Sequence, residues 1–212
     1  MKQTEFPDNI PLITKQNLRL LFPNISEFTF DKNIQNWLKN NKLIALKKGL
    51  YVFSTYWQQQ RWEGDSYLEF LANKIYHPSY LSMEYVLQKY SMLSEAVFAF
   101  TSVSPKAGRV FKNKLGTFSF SAIKPELFTG WATVNVGNNQ VFMASKAKAL
   151  FDYLYLYKRK IISVNKKQLD ELRLNLEEMS RQDWQEFDQY VHVSGSIKMK
   201  KIFKILFTQY AD

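Results

Sequence analysis

The sequence predicts an α+β protein: a small N-terminal helical unit closed by a basic hairpin, then a mixed α+β domain that ends in helices. Three observations predict it. An amphipathic helix over Phe30–Asn41 runs straight into two short apolar stretches around Lys47-Lys48-Gly49. The middle of the chain, Val97 to Met143, alternates short β-rich stretches with turn residues. The last third returns to helical apolar periodicity.

The elements follow in order. Residues 1–13 read as an irregular lead containing Pro7 and Pro11. Thr14 caps a short helix, Lys15 to Phe22, stopped by Pro23. Asn24 to Phe28 reads as a turn, and Thr29 as the cap of the second helix. In that helix Phe30, Ile34, Trp37, Leu38 and Asn41 share one face. Lys32, Gln35, Asn36 and Lys39 share the opposite face, with Asn33 and Asn40 on its flank. Leu43–Leu46 and Leu50–Phe53 form a tight hairpin about Lys47-Lys48-Gly49. Helix, turn, helix and basic hairpin in that order read as a winged helix-turn-helix, placed at residues 1–58.

Polar, Gln-rich Ser54 to Asp65 reads as a linker into a second domain at 59–212. Ser66 to Ile75 is helical, His77-Pro78-Ser79 breaks it, and Ser82 caps a further helix. Strands are expected at Val97–Val103, Arg109–Lys112, Thr117–Ile123, Ala132–Val136 and Gln140–Met143. Ser145 caps a long helix with Ala147, Leu150, Phe151 and Leu154 as its apolar stripe. Helices over Lys167–Met179, Arg181–His192 and Ser196–Gln209 close the chain.

Composition narrows the function. The chain has 212 residues, 46% hydrophobic and 23% charged, enough for a packed core. Aromatics reach 16%, read mainly as core. A formal charge of +10 favours a polyanionic partner. The absence of Cys excludes disulfides, thiolate metal sites and a Cys nucleophile, and two histidines alone make no zinc site. No metal or cofactor is expected. The N-terminus lacks the apolar core of a signal peptide, and no long apolar run spans a membrane, so a cytoplasmic location is expected. Neither a phosphate-binding Gly-rich loop nor a GxSxG elbow is present, and the strand region holds a single acid, Glu126. The chain therefore reads as a non-enzyme.

On these grounds the candidate DNA-binding residues are Lys32, Gln35, Asn36 and Lys39 on the second helix. Amides bond adenine in bidentate fashion, and ammonium groups reach guanine or phosphate in the major groove. Lys47 and Lys48 are assigned to backbone contact from the hairpin tip, and Thr14 with Lys15 to a phosphate at the first helix start. In the second domain Lys148 and Asp152 are candidates, equally readable as an internal i, i+4 pair. Lys198, Lys200, Lys201 and Lys204 read either as a contact for an acidic partner or nucleic acid, or as the wet face of the last helix.

Several segments carry a resemblance. Leu43 to Tyr51, with its K-x-G-x-Y-like ending, is one. His77-Pro78-Ser79-Tyr80-Leu81-Ser82 is a second. Thr101–Ser104, Leu115–Phe118, Phe128-Thr129-Gly130, Ala144-Ser145 and Lys148-Ala149-Leu150-Phe151-Asp152 complete the series. Over residues 40–155 or so the order resembles the AbiEi-type antitoxins, transcriptional regulators of type IV toxin–antitoxin and abortive-infection systems. Ala147 stands where that family often has Glu, Phe120 where Tyr is common, and the lead before Thr14 is short for the usual first helix. The resemblance implies an antitoxin that represses its own operon by binding double-stranded DNA at inverted repeats. It also implies a nucleotidyltransferase-like toxin as functional partner, without direct contact. The alternative is a winged-helix protein-interaction module, or a regulator unconnected to a toxin. Oligomeric state is left open.

Overall fold

A computed structural model describes residues 6–62 and 64–210. It is a mixed α+β protein with a three-stranded and a six-stranded sheet. The small sheet comes first, in the order β1 (Ile13–Thr14), α1 (Lys15–Leu20), α2 (Glu27–Lys39), β2 (Leu43–Lys47) and β3 (Leu50–Phe53). Its strands lie in the order β1-β3-β2, all antiparallel.

Two boundaries differ from the sequence reading, for local reasons. α1 ends at Leu20, and the following turn is tied by Arg19, which donates to the carbonyls of Phe22 and Ile25. α2 begins one turn earlier than expected, at Glu27, because Ser26 and not Thr29 is the N-cap; its side chain accepts from the Thr29 amide at 3.2 Å. Ile25 before the cap and Phe30 in the helix share one apolar cluster, the arrangement of a hydrophobic staple.

The hairpin is buried on both sides. Leu43, Tyr51 and Phe53 join Ile13, Leu18, Phe30, Ile34 and Trp37 in an N-terminal core. Ile44, Leu46, Leu50 and Val52 join the core of the rest of the molecule. Alternation along each strand sends successive side chains to opposite faces. The hairpin is thus shared by two cores, and the division at residue 58 does not separate them.

The supposed linker is partly a helix, α3 (Ser54–Gln60). Tyr56 and Trp57 set their rings 5.3 Å and 6.1 Å from that of Tyr67, so aromatic packing orders a segment whose composition is polar. α4 (Ser66–Ile75), β4 (Tyr80–Leu81), α5 (Met83–Lys89), β5 (Ala99–Ser104), β6 (Arg109–Asn113) and β7 (Gly116–Ala122) follow. After a 3-10 turn at Pro125–Leu127 come β8 (Trp131–Val136), β9 (Asn139–Ala144) and α6 (Lys146–Tyr157). The large sheet has the order β6-β7-β5-β4-β9-β8. Its β4–β9 and β5–β7 pairs are parallel and the rest antiparallel. β4, only two residues long, pairs with β5 on one side and β9 on the other.

Near the end, the helix expected over Lys167–Met179 is only α7 (Lys166–Asp170). Arg173 takes a left-handed φ of 51°, Leu174 bridges to Leu93, and the Asn175 amide donates to the Met92 carbonyl at 2.9 Å. Leu169, Leu176 and Met179 are buried all the same. Their spacing reflects a common core without a common helix. α8 (Arg181–Val193) and α9 (Ile197–Tyr210) complete the chain, α8 with a full capping box between Ser180 and Asp183. Among the described residues no helix is long and apolar enough to cross a membrane.

Candidate nucleic-acid interface

α2 buries Phe30, Ile34 and Trp37 and turns Lys32, Gln35, Asn36 and Lys39 to solvent. The extra N-terminal turn adds Phe28 to that outer face, 80% exposed. An open concavity of about 760 Å3 lies between this face and the hairpin tip; Lys15, Phe28, Lys32, Gln35 and Lys48 all line it. Four residues proposed from sequence, on three different elements, therefore meet on one surface. Phe28 is the member that sequence reading missed. The signal was present in Ile25-Ser26, a staple residue followed by a cap.

The charges here sort into two groups. Lys15 pairs with Glu27 at 3.1 Å and Asp31 at 2.6 Å, and Arg19 pairs with Glu27 at 3.3 Å. Hydrogen bonds to Asp31 and then Glu27 raise the Lys15 ammonium above its ordinary value. Two cations of α1 and two carboxylates of α2 cancel, so this cluster carries no net charge. Lys32, Lys39 and Lys48 form no ion pair among the described residues and remain exposed. Thr14 caps α1, its Oγ accepting from the Asn17 amide at 3.1 Å.

Lys47 does not join this surface. Its Nζ donates to the Ile75 carbonyl at 2.6 Å, and burial, followed by repulsion from Lys106 and Arg109, lowers its pKa. A register shift in β2 between Ala45 and Lys47 breaks the alternation and turns Lys47 toward the large unit, where Asn113 also donates to the Leu46 carbonyl at 3.2 Å. Gly49, at φ +78°, makes the turn that leaves Lys48 alone at the tip.

The resemblance motifs of the second domain converge elsewhere, in the interior. Lys148 and Asp152 are both fully buried and pair at 2.5 Å one helical turn apart. The other oxygen of Asp152 accepts from Ser82 at 2.7 Å and Tyr80 at 3.0 Å. The Lys148 ammonium also lies 5.7, 5.0 and 5.1 Å from the ring centres of Tyr80, Phe151 and Tyr190. Burial pushes the Lys148 ammonium down and the Asp152 carboxyl up, while their mutual attraction opposes both shifts. Gly130, at φ +75°, closes the cluster against Tyr190 and Lys148. Beside it, Glu186 accepts from Ser145 at 2.7 Å and Tyr190 at 2.6 Å. Solvent does not reach Lys148 or Asp152, so neither is presented to a partner. They form an internal i, i+4 pair.

Lys200, Lys201 and Lys204 are exposed on α9. Lys198 is half-buried and donates to the Ile161 carbonyl, which ties α9 to the segment after α6. This group lies on a different surface feature from the α2 concavity and shares none of its lining. Comparison with known protein families and with curated proteins finds no match to this chain.

Proposed function

We infer that this protein is a cytoplasmic, non-enzymatic DNA-binding regulator, with α1, α2 and the β2–β3 hairpin acting as a winged helix-turn-helix. The observation that carries this reading is the shared surface of α2 and the hairpin tip. Lys32, Gln35 and Lys48 line it, and Asn36 and Lys39 extend the α2 face. A helix fits the major groove, where Gln and Asn read adenine and Lys reaches guanine or phosphate. Lys48 supplies the backbone contact at the tip that positions the helix. The cancelled charges at Glu27 and Asp31 remove the repulsion that two carboxylates would otherwise exert on phosphate.

Within that class the reading extends to an antitoxin of the type IV kind, an autorepressor binding inverted repeats and countering a nucleotidyltransferase-like toxin. Its support is the ordered set of motifs over residues 40–155, five of whose residues (Tyr80, Ser82, Gly130, Lys148 and Asp152) gather in one buried cluster. A set of residues engaged together in the core accounts for motifs that are far apart in the chain.

The test is a mobility-shift titration on the DNA upstream of the protein's own gene, across a range of salt. Sequence-preferring binding that weakens as salt rises is expected, with a marked loss for Lys32→Ala/Gln35→Ala. Absence of any such shift rejects the regulator reading. Co-expression with the product of the adjacent gene checks the antitoxin extension; rescue of growth is the expected result.

A further inference from the structure

Phe28 is an aromatic side chain left 80% in water, on a surface it shares with Lys15, Lys32, Gln35 and Lys48 as well as Asp31 and Tyr51. It stands at the second position of α2, four residues before Lys32 and seven before Gln35, so all three share one helix face. It lines the same concavity as Lys15 and Lys48. Around it the carboxylates are neutralised by Lys15 and Arg19, while Lys32 and Lys48 are not. A partner that suits an exposed apolar ring beside two unpaired ammonium groups is a polyanion that also presents apolar points. The major groove of duplex DNA has that character, since thymine alone presents a methyl group there. The first turn of a recognition helix is also the part that reaches base edges.

We propose that Phe28 packs against the C5-methyl group of a thymine and so sets a thymine preference at one position of the bound site. This rests on the DNA-binding reading above and adds a specificity-determining contact to it. Lys32 and Gln35, one and two turns further along α2, face neighbouring base pairs. The ring makes no hydrogen bond and reads shape and hydrophobicity only.

The experiment uses the full chain and a duplex selected from a random-sequence library by the wild-type protein. Thymines in that duplex are replaced one at a time by uracil, which removes the methyl and keeps every hydrogen-bonding edge. Wild-type protein and Phe28→Ala are titrated against each duplex. One uracil is expected to weaken wild-type binding about fourfold, the worth of one buried methyl group, and to leave Phe28→Ala unaffected. Uracil effects of equal size in both proteins, or in neither, with sequence-specific binding retained, overturn the contact and leave the DNA reading intact. Failure of the wild type to select any duplex overturns both. A change in the sedimentation of Phe28→Ala with unchanged uracil sensitivity assigns the ring to a protein contact, which also overturns the proposal. Since the ring is exposed, the thermal melt of Phe28→Ala is expected to match wild type.

Discussion

The Lys47 ammonium lies 2.6 Å from the carbonyl oxygen of Ile75, the last residue of α4. The bond joins the hairpin to the large unit across 28 residues of sequence, and it gives Lys47 and its neighbour Lys48 different tasks. Lys47 is half-buried and anchors the hairpin; Lys48 is exposed and lines the concavity beside α2.

Lys47→Met therefore lowers stability by about 1.5–3 kcal/mol, the range for a hydrogen bond from a charged group, while Lys48→Met changes stability little. Affinity for DNA shows the reverse order of sensitivity to the direct contact. Urea unfolding alongside mobility-shift titration of the two variants separates the roles. Equal midpoints for both variants count against the anchor.

The pair Lys148–Asp152 is asymmetric in its support. Asp152 keeps Ser82 and Tyr80 as donors if Lys148 is removed, whereas the Lys148 ammonium donates to Asp152 and is otherwise faced by rings. Asp152→Asn leaves a buried ammonium without its counter-ion and is expected to cost about 3–5 kcal/mol. Lys148→Met is expected to cost less. A double-mutant cycle by chemical denaturation checks this, and equal single-variant losses would contradict the asymmetry.

Gly130 faces two obstacles to any side chain. Its φ is +75°, and an added Cβ would overlap the Tyr190 hydroxyl and lie 2.6 Å from Tyr190 Cζ and 3.0 Å from Lys148 Cδ. Gly130→Ala is expected to destabilise by about 2–4 kcal/mol through backbone strain and overpacking. At Gly195, also at positive φ but with nothing within 4 Å of an added Cβ, only the backbone cost applies. Thermal melts of the two alanine variants give the comparison, and a similar loss in both would argue against the crowding at Gly130.

Lys158 is pushed down to about 8, first by burial and then by Lys124, Arg159 and Lys198. Its folded value lies below that of the unfolded chain. The folded state therefore loses stability as pH falls from the unfolded value toward 8, and the penalty is complete below 8. Lys158→Met stabilises the protein modestly at pH 7, by an amount limited by solvent screening, and the gain fades toward pH 10.5. Urea midpoints at the two ends of this range test the sign. A benefit that grows with pH would reverse the assignment.

Much of the local structure is legible in the residues. The outer face of α2, the Lys48-Gly49 turn and the Ser145 cap all follow from short-range patterns. These are determined within a few residues of chain. The helical spacing of Leu169, Leu172, Leu176 and Met179 was misleading because backbone bonding to Met92 and Leu93, far away in sequence, breaks the helix after Asp170.

By itself, then, the sequence determined which face of α2 is polar, that the hairpin tip is basic, and that α and β segments mix. Tertiary structure alone decided which basic groups remain free. Lys47 and Lys148 look no different in the chain from Lys48 and Lys32, but one is drawn to the Ile75 carbonyl and the other is sealed against Asp152 among three rings. Availability of a charge depends on what burial places around it, and those neighbours come from segments that only folding brings together.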